Sequence, residues 1–236
     1  QGILRVIRKI IRFKAVSSTQ DTAKRFIHEK EELAIASYRQ TRGRGRVSRT
    51  WYSPTGGMYL SFLLFPKTRI SSIPLLASLT IVRVLENYDI SKIEILWPND
   101  VLLKGRKVCG IICEQHKNAV ICGIGLNVNI SDFTQGLPNA TSLMLESGKE
   151  YDIDELIENV VGMFNPLYKE LQEKGLKVKE VLNYVKGIGE SVEIVTSKDH
   201  VRGTVFDIDE DWALLLRDDT GIIRKFYYGD VRKLRW

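Results

Sequence analysis

The segment from Gln40 to Trp51, QTRGRGRVSRTW, holds the densest group of residues suited to binding an anion. Four arginines and two glycines lie within eight of its residues, Arg42, Gly43, Arg44, Gly45, Arg46 and Arg49. Glycine lets the backbone approach a ligand and offer its N–H groups. An arginine binds phosphate through charge-assisted hydrogen bonds, each of which stabilises the complex by about 1.5–3 kcal/mol. Trp51 suits stacking on a base or sealing a pocket.

This pattern favours a loop that binds the phosphate of a small molecule. Two alternatives stay open, a solvated basic turn and an RNA-binding tract. No Gly-Lys-Ser/Thr follows the segment, and the G-x-G-x-x-G spacing is absent, so it is neither a P-loop nor a dinucleotide fingerprint.

Two further segments place charged residues at the ends of apolar strands. Trp97-Pro98-Asn99-Asp100 ends one strand, and its composition suits a turn. It is either a plain turn or a site rim at which Asp100 orients a lysine or a metal. Lys107 is the first residue of the apolar segment KVCGIICE. A lysine at the start of an apolar strand often only marks the end of the strand at the protein surface. Strict alternation predicts one face with Lys107, Cys109, Ile111 and Cys113, and another with Val108, Gly110, Ile112 and Glu114.

Glycines clear one face of the predicted strands. Gly110 removes a side chain where close ligand approach would require it. Gly123 and Gly125 alternate in the segment GIGLN, and each costs a strand about 0.5–1 kcal/mol. We therefore expect a flat ligand over this part of the sheet, with tight helix packing as the alternative.

The composition is that of a folded chain with a moderate positive charge. It has 236 residues, 44% hydrophobic and 27% charged, a net charge of 35 − 29 = +6 and a pI near 9.1. These values exclude global disorder. Acidic residues are interspersed among the basic ones, whereas a dedicated nucleic-acid-binding protein more often has its basic residues clustered. The longest nearly continuous apolar run, Met58 to Phe65, is far shorter than the roughly 20 residues of a membrane helix. Ile3 to Arg12 resembles a transit peptide or membrane-surface helix, but Ile10 to Phe13 reads better as a strand.

Cys109, Cys113 and Cys122 are too few for a disulfide framework and lie in apolar surroundings. We interpret them as core side chains, with a redox pair as a minor option, and expect a reducing compartment, the cytoplasm.

The hydrophobic pattern predicts an α+β fold with a second small unit. Helices are expected at 20–32, 73–87 and 156–174, where Pro166 kinks the last or starts a second segment. Strands are expected at 33–38, 57–64, 93–96, 107–114 and 119–127. Five short strands then follow at 192–194, 201–205, 213–216, 222–227 and 231–234. We predict a catalytic domain, 1–183, with a mixed sheet and flanking helices, and a C-terminal β-barrel of SH3 size, 184–236.

Taken in order, these segments resemble the catalytic domain of the biotin–protein ligases. The matching motifs are Ser18-Thr19-Gln20, the Gln40–Trp51 loop, Ser53-Pro54-x-Gly-Gly57, Trp97-Pro-Asn-Asp100, Lys107-x-x-Gly110, Gly123-Ile-Gly125-x-Asn127-Val128, Pro138-x-x-Thr141-Ser142 and Gly229-Asp230-Val231. Each motif is weak alone, but the ordered set is specific and spans most of the chain. The resemblance implies a class II synthetase-like sheet and an SH3-like barrel.

The resemblance also implies two half-reactions. Biotin and ATP form biotinyl-5′-AMP with the help of Mg²⁺, and a lysine of a biotin carboxyl carrier protein, a subunit of acetyl- or propionyl-CoA carboxylase, then takes the biotin. Biotin binding would fall to Ser18, Thr19, Gln20, Gln40, Arg44, Gly45, Arg46, Lys107 and Gly110. ATP and adenylate binding would fall to Gly43, Arg44, Arg46, Arg49, Trp51, Lys107, Gly125 and Asn127. Lys107, Arg46 and Asp100 would be catalytic, with Asp100 positioning the lysine or the attacking amine. We expect no protein-held metal, a homodimer, and neither membrane nor DNA binding.

Three positions depart from the family pattern. Leu96 stands where the family usually has a base, Gln20 replaces the commoner Asn, and Val47-Ser48 replaces a frequent Arg-Gly. These changes bear on biotin affinity and turnover and remove no chemical role. The nearest alternative is lipoate–protein ligase, although its Arg-Arg-x-x-Gly-Gly-Gly stretch is absent. A non-enzymatic RNA-binding module and a structural adaptor are more remote alternatives.

Overall fold

A seven-stranded mixed sheet organises the larger part of the chain. The computed structural model describes residues 7–67, 70–133, 136–175, 178–196, 200–209, 211–227 and 230–233. The strands are β1 (Ile10–Phe13), β2 (Leu33–Ser37), β3 (Gly57–Leu64), β4 (Ile93–Leu96), β5 (Asp100–Leu103), β6 (Arg106–His116) and β7 (Ala119–Asn127). Their order is β1-β2-β3-β7-β6-β5-β4, with β1 parallel to β2 and the other pairs antiparallel.

The helices lie on both faces of this sheet. They are α1 (Thr19–Lys24), α2 (Ile73–Asn87), α3 (Leu143–Ser147), α4 (Ile153–Lys174) and α5 (Val178–Leu182). α2 and α4 bury their apolar stripes against one face, where Phe62 stacks on Phe164 with ring centroids 4.2 Å apart. α1 covers the other face next to a smaller apolar cluster that includes Ala23 and Leu33. The sheet therefore separates a thick core from the face that carries the glycines.

One core segment has the length and composition of a membrane helix. The 18 residues Ile70–Asn87 are long and apolar enough to cross a membrane, with a mean hydropathy of 1.3. Polar residues interrupt this segment, so it contains no long continuous apolar run, and 67% of it is buried within the protein. Burial against the sheet and α4 is how a core helix satisfies such an apolar surface.

The C-terminal strands form the predicted second sheet. They are β8 (Ser191–Val195), β9 (His200–Ile208), β10 (Leu214–Asp218), β11 (Ile223–Phe226) and β12 (Asp230–Lys233), in the antiparallel order β11-β10-β9-β8-β12. The connection into this barrel pairs with β4, because Ile95 N–H donates to Tyr184 O (2.7 Å) and Lys186 N–H donates to Ile95 O (2.9 Å). The predicted boundary at 183/184 falls where this pairing begins, and it stays a prediction. Gly229 lies outside the described residues.

Several predicted elements differ in detail from the structure. The helix expected over 20–32 ends at Lys24, and a 3₁₀ turn follows at Ile27–Glu29. The strand β5 was not predicted, because four residues between two turns leave too short a pattern to recognise. Pro166 does not start a second segment, since α4 continues through it over 22 residues.

A buried carboxylate ties α3 to the turn between β5 and β6. Glu146 accepts a hydrogen bond from Thr141 Oγ1 (2.6 Å) and forms ion pairs with Arg106 and with Lys104 Nζ (3.3 Å). Its side chain is 6% exposed. Burial alone would raise the pKa of Glu146, but the hydrogen bonds from Thr141 and Lys104 and the charge of Arg106 outweigh it and lower the pKa.

We expect Glu146→Gln to lower the free energy of unfolding at neutral pH by about 1 kcal/mol, since its half-exposed cationic partners are screened by solvent. The folded pKa lies below the unfolded value near 4.5, so this stabilisation is present above that pH and disappears as the pH falls through the folded pKa. Denaturant unfolding between pH 7 and pH 3 measures it, with exposed Glu150→Gln as the control. The curves of wild type and Glu146→Gln should converge in acid, and a gap that is independent of pH would contradict the assignment.

Candidate functional site

The predicted site residues line a single pocket on the glycine-bearing face of the sheet. Its volume is about 250 Å³. Of the fifteen predicted residues, fourteen line it: Ser18, Thr19, Gln20, Gln40, Arg44, Gly45, Arg46, Arg49, Trp51, Asp100, Lys107, Gly110, Gly125 and Asn127. Gly43 lines a neighbouring depression instead, and a Cβ there would collide with Ser53 and the Trp51 carbonyl. Gly43 is thus required for packing within the loop.

An ion pair between neighbouring strands lies in this pocket. Lys107 Nζ is 2.7 Å from Asp100 Oδ2, and their side chains are 35% and 20% exposed. Asp100 opens β5 directly after the Trp97-Pro98-Asn99 turn. The backbone of Lys107 is held as well, since its N–H donates to Asn139 O (2.7 Å) and its carbonyl accepts from Thr141 N–H (2.9 Å). The structure therefore supports Asp100 as a residue that orients a lysine, rather than as part of a plain turn.

A β-bulge brings Lys107 to the same side as Gly110. Val101 pairs with Cys109 and the next residue, Leu102, pairs with Lys107, so Val108 is the extra residue on β6. A bulge shifts the alternation of a strand by one residue. The strict alternation predicted from the sequence placed Lys107 and Gly110 on opposite faces and was wrong for Lys107. Lys107 Nζ lies 5.2 Å from the centre of the Trp51 ring, and Gly110 lies under the same ring.

The cleared strand face is covered by two of the protein's own side chains. A Cβ on Gly110 would lie 2.7 Å from Trp51 Cζ3, and one on Gly125 would lie 2.6 Å from Trp51 Cε2. Gly123 faces Gln20, whose Cδ would be 3.0 Å from a Cβ there. The sequence predicted a flat ligand here, whereas the structure places the Trp51 indole over Gly110 and Gly125 and a residue of α1 over Gly123, which at Gly123 is the helix-packing alternative.

A hydrogen-bonded cluster forms the end of the pocket at the N-terminus of α1. Gln40 Oε1 accepts from Thr19 N–H (2.8 Å) and Thr19 Oγ1 (3.2 Å), and Gln40 Nε2 donates to Ser53 Oγ (2.9 Å). Ser61 Oγ donates to Thr19 Oγ1 (2.8 Å). These bonds fix the tip of α1 relative to the loop, so Gln20 is held at the pocket wall.

Several buried polar atoms in the pocket have no hydrogen-bond partner within the described part of the chain. They are Ser18 Oγ, Gln20 Oε1, Trp51 Nε1 and Asp100 Oδ1. A buried polar group without a partner costs about 1–3 kcal/mol. Four such atoms around one pocket indicate a polar ligand with both donors and acceptors.

The arginine loop closes on itself and is tethered by two of its arginines. Gly45 N–H donates to Arg49 O (2.7 Å), and Arg49 N–H donates to Arg46 O (3.0 Å). Arg44 is bound to Glu114 and, through Nη1, to Asp21 Oδ1 (2.8 Å). Arg46 Nη1 donates to Asn99 Oδ1 (2.6 Å). The loop thereby bridges the pocket from the α1 side to the β4–β5 turn.

The departure at the loop tip has a conformational consequence. Val47 and Ser48 have φ angles of +50° and +59°, in the left-handed region that suits glycine. A β-branched side chain is disfavoured there, and Val47 is 85% exposed. The valine therefore strains the tip of the loop without a compensating packing contact.

Asn127 and Asn99 are placed by hydrogen bonds to neighbouring backbone. Asn127, at the end of β7, is buried and donates through Nδ2 to Thr141 O (3.0 Å). Asn99 Nδ2 donates to Ile111 O (2.8 Å), which leaves its Oδ1 to receive Arg46. The sequence pattern predicted no role for Asn99, although it lies next to Asp100. Tyr52, Phe133 and Leu137 were not predicted either, because they line the pocket from loops without a recognisable pattern.

The cysteines belong to the core and its edge. Cys109 and Cys122 are buried, Cys113 is half-buried opposite Cys122 on the neighbouring strand, and none lines this pocket. Burial raises the pKa of Cys109 and of Cys113.

Comparison with known proteins agrees with this geometry. Residues 12–131 match the profile of the biotin/lipoate A/B protein ligase family, and residues 187–234 match the biotin protein ligase C-terminal domain. The chain is 33% identical over 238 residues to the bifunctional ligase/repressor BirA of Bacillus subtilis, covering 94% of this chain and 73% of the relative. It is 30% identical over 206 residues to the biotin–[acetyl-CoA-carboxylase] ligase of Paracoccus denitrificans, covering 79% of this chain and 85% of the relative.

A solved structure shows the same architecture. The biotin protein ligase of Aquifex aeolicus in complex with biotin and ATP superimposes with a TM-score of 0.86 at 30% identity, covering 95% of this chain and 98% of that one. The family profile covers about half of the chain, and the second match and the superposition extend over the barrel. The chain therefore belongs to the biotin/lipoate A/B protein ligase family and carries the C-terminal domain of its biotin protein ligases.

Proposed function

We propose that the protein is an ATP-dependent biotin–protein ligase that makes biotinyl-5′-AMP and transfers the biotinyl group to a lysine of a carrier protein. The observation that carries this proposal is the Lys107–Asp100 ion pair at the centre of a pocket whose buried polar atoms lack partners. A cation at that position suits a reaction that brings two anions together.

In the first half-reaction, a carboxylate oxygen of biotin attacks the α-phosphorus of ATP. A new C–O–P linkage forms, the bond to the β-phosphate oxygen breaks, and pyrophosphate leaves with the bonding electrons. The two reactants repel each other, and charge grows on the phosphoryl oxygens in the transition state. Lys107, fixed by Asp100, and Arg46, fixed by Asn99, are preorganised donors for those oxygens.

In the second half-reaction, the lysine amine of the acceptor attacks the carbonyl carbon of the mixed anhydride. The amide bond forms, AMP leaves with the electrons of the C–O bond, and the amine gives up a proton. Asp100 Oδ1, the oxygen that is not bound to Lys107, is buried and is the acceptor we assign for orienting this amine. The arginine loop shields the anhydride from water during the exchange.

Each end of the pocket fits one part of the adenylate. Ser18 Oγ, which can donate and accept, and Gln20 Oε1, which accepts, match the C=O and N–H groups of the ureido ring of biotin. Trp51, Gly125 and Asn127 form the part assigned to the adenosine. Magnesium would arrive bound to the triphosphate. Among the described lining residues the carboxylate is that of Asp100, and it is paired with Lys107. We therefore assign the chain no metal ligand of its own.

The proposal extends to the acceptor, the oligomeric state and the cellular location. We propose a biotin carboxyl carrier domain of an acyl-CoA carboxylase as the acceptor, a homodimer as the active form and the cytoplasm as the location. The free thiols of the three cysteines fit a reducing compartment. The relatives named as bifunctional ligase/repressors are longer than this chain, which spans 71% to 73% of the two Bacillus proteins.

The alternative functions make different use of the same residues. An RNA-binding tract requires arginines that face a phosphate backbone, whereas Arg44 is bound by two carboxylates and Arg46 by Asn99. A lipoate ligase shares the scaffold and differs in the ligand at the Gln20 end.

Incubation of the purified protein with Mg-ATP and biotin, without acceptor, tests the proposal. Mass spectrometry should find biotinyl-AMP bound stoichiometrically, and an equal concentration of lipoate should not displace it. Formation of lipoyl-AMP instead, or of neither adenylate by a folded protein, would contradict the assignment.

Lys107→Ala should slow adenylate formation by about 10²–10³-fold, the scale for loss of one preorganised donor. Pyrophosphate release in a single turnover measures the rate, and the unfolding midpoint reports the integrity of the fold. Lys117→Ala, on the exposed β6–β7 turn, is the matched control. Unchanged pyrophosphate release would remove Lys107 from the mechanism.

Arg46→Gly should release the activated biotin faster, because it removes the bond to Asn99 that tethers the loop tip. The dissociation rate of biotinyl-AMP, followed by biotinylation of free amines in solution, is expected to rise about tenfold, the equivalent of one charged hydrogen bond. A dissociation rate equal to that of wild type would mean that the loop is not the lid.

Gly125→Ala should displace the Trp51 indole, because a Cβ would lie 2.6 Å from Trp51 Cε2. We expect the KM for ATP to rise about tenfold or more, and Trp51 emission to shift relative to a Trp51→Phe reference. Gly162→Ala, on the exposed side of α4 with open space around it, controls for a general effect of adding a methyl group. Normal ATP affinity in Gly125→Ala would separate the indole from nucleotide binding.

A further inference from the structure

Glu114 connects the arginine loop, α1 and β6, and neither the sequence motifs nor the proposed mechanism gives it a role. It lies four residues after Gly110 on β6 and its side chain is 22% exposed. Strand alternation after the bulge puts Gly110, Ile112 and Glu114 on the pocket face. The region beside it is a second depression lined by loop residues 41–50 and by Ile112, Cys113 and Glu114.

The contacts of Glu114 converge from three elements. Arg44 reaches both of its oxygens, with Nη1 3.1 Å from Oε2 and Nη2 bound to Oε1. Gln20 Nε2 is 3.4 Å from Oε2 and also donates to Ile121 O at 3.3 Å. Lys24 Nζ lies 3.6 Å from Oε2, and His116 Nε2 lies 3.9 Å from it.

Asp21 provides the second acceptor for the same arginine. Its Oδ1 is 2.8 Å from Arg44 Nη1 and 3.1 Å from Lys24 Nζ. Burial would raise the pKa of Asp21, but the hydrogen bond from Lys24 and the charge of Arg44 lower it. Arg44 is therefore held between two carboxylates on the α1 side, while Arg46 binds Asn99 on the opposite side of the pocket.

The bonds within the loop do not fix its position over the pocket. The backbone bonds of residues 45–49 join loop residues to one another, so they set the shape of the loop tip but not its distance from the sheet. The side-chain bonds of Arg44 and Arg46 join that tip to the rest of the protein. Removing the Arg44 acceptors should free one side of the loop.

We propose that Glu114 is a positioning residue for the ligase site. It holds the glycine–arginine loop over the pocket through Arg44, and it orients the Gln20 amide so that Oε1 faces the ligand. Arg44 then serves as the anchor of the loop rather than as a phosphate ligand in this arrangement. The proposal rests on the proposed ligase function, and its first test does not require activity.

Limited trypsin digestion without ligand reports the opening of the loop, since detachment of the loop gives trypsin more access to the bonds after Arg46 and Arg49. Mass spectrometry should show cleavage at these bonds about 5- to 20-fold faster in Glu114→Gln, the range for a partly screened hydrogen bond to a charged group. Glu94→Gln is the matched control, because it breaks a half-exposed ion pair with Lys186 (2.7 Å) outside the pocket. Equal cleavage in both variants would overturn the proposal.

The kinetics of the adenylate separate positioning from chemistry. In Glu114→Gln, biotinyl-AMP should dissociate about tenfold faster and the KM for biotin should rise, while the single-turnover rate at saturating substrates stays within about twofold of wild type. A fall in that rate with unchanged release would contradict a positioning role. If wild-type protein forms no adenylate, the proposed function fails, and the trypsin result still decides whether Glu114 anchors the loop.

Asp21→Asn keeps the test decisive if Glu114→Gln does not fold. Asp21 is 44% exposed, and Asp21→Asn removes the negative charge from one of the two acceptors of Arg44, so cleavage after Arg46 and Arg49 should increase by a smaller factor in the same direction. No increase in a folded Asp21→Asn variant would overturn the anchor as well.

Discussion

The ion pair between Lys107 and Asp100 is the contact on which the geometry of the site depends. Both groups are more than half buried, where an isolated charge is costly and a paired one is held in place. The pair forms only because Val108 bulges out of β6 and turns Lys107 toward the pocket. Backbone bonds from the 137–142 segment hold the lysine from behind, and Glu146 ties that segment to the turn before β6. The Lys107 ammonium is thus supported by the sheet and the 137–142 segment rather than by the arginine loop.

Space around that cation is set by residues without side chains. Gly110 and Gly125 leave room for the Trp51 indole, and Gly123 leaves room for Gln20. Each glycine lowers the stability of its strand. Burial of the neighbouring strand β3, whose eight residues are all buried, offsets this loss. The arginine loop lies over this floor and is held on both sides by side-chain bonds. A rigid floor and a tethered cover suit a reaction whose intermediate must be kept from water.

Sequence patterns were sufficient for the long elements and predicted fourteen residues that the structure brings to one pocket. β3, α2 and β7 have the predicted bounds because long apolar periods specify them, and the four-residue β4 has its predicted bounds as well. These residues were predicted to form one site because their motifs are ordered along the chain, and their roles stay predictions. The role of Glu114, the face of Lys107 and the short strand β5 were not predicted, because a bulge and cross-strand side-chain contacts leave no periodic signal. Arg44 was assigned to the ligand from its motif alone, and its pairing with Asp21 and Glu114 depends on tertiary contacts between distant segments.

A crystal structure with a non-hydrolysable biotinyl-adenylate analogue tests the central claim most directly. The account predicts that Lys107 Nζ lies within hydrogen-bond distance of both the phosphoryl group and the oxygen of the former biotin carboxylate, while it keeps its bond to Asp100. It also predicts that the ureido ring lies against Ser18 and Gln20. A bound analogue with Lys107 turned away from both groups, and another cation between them, would contradict the account.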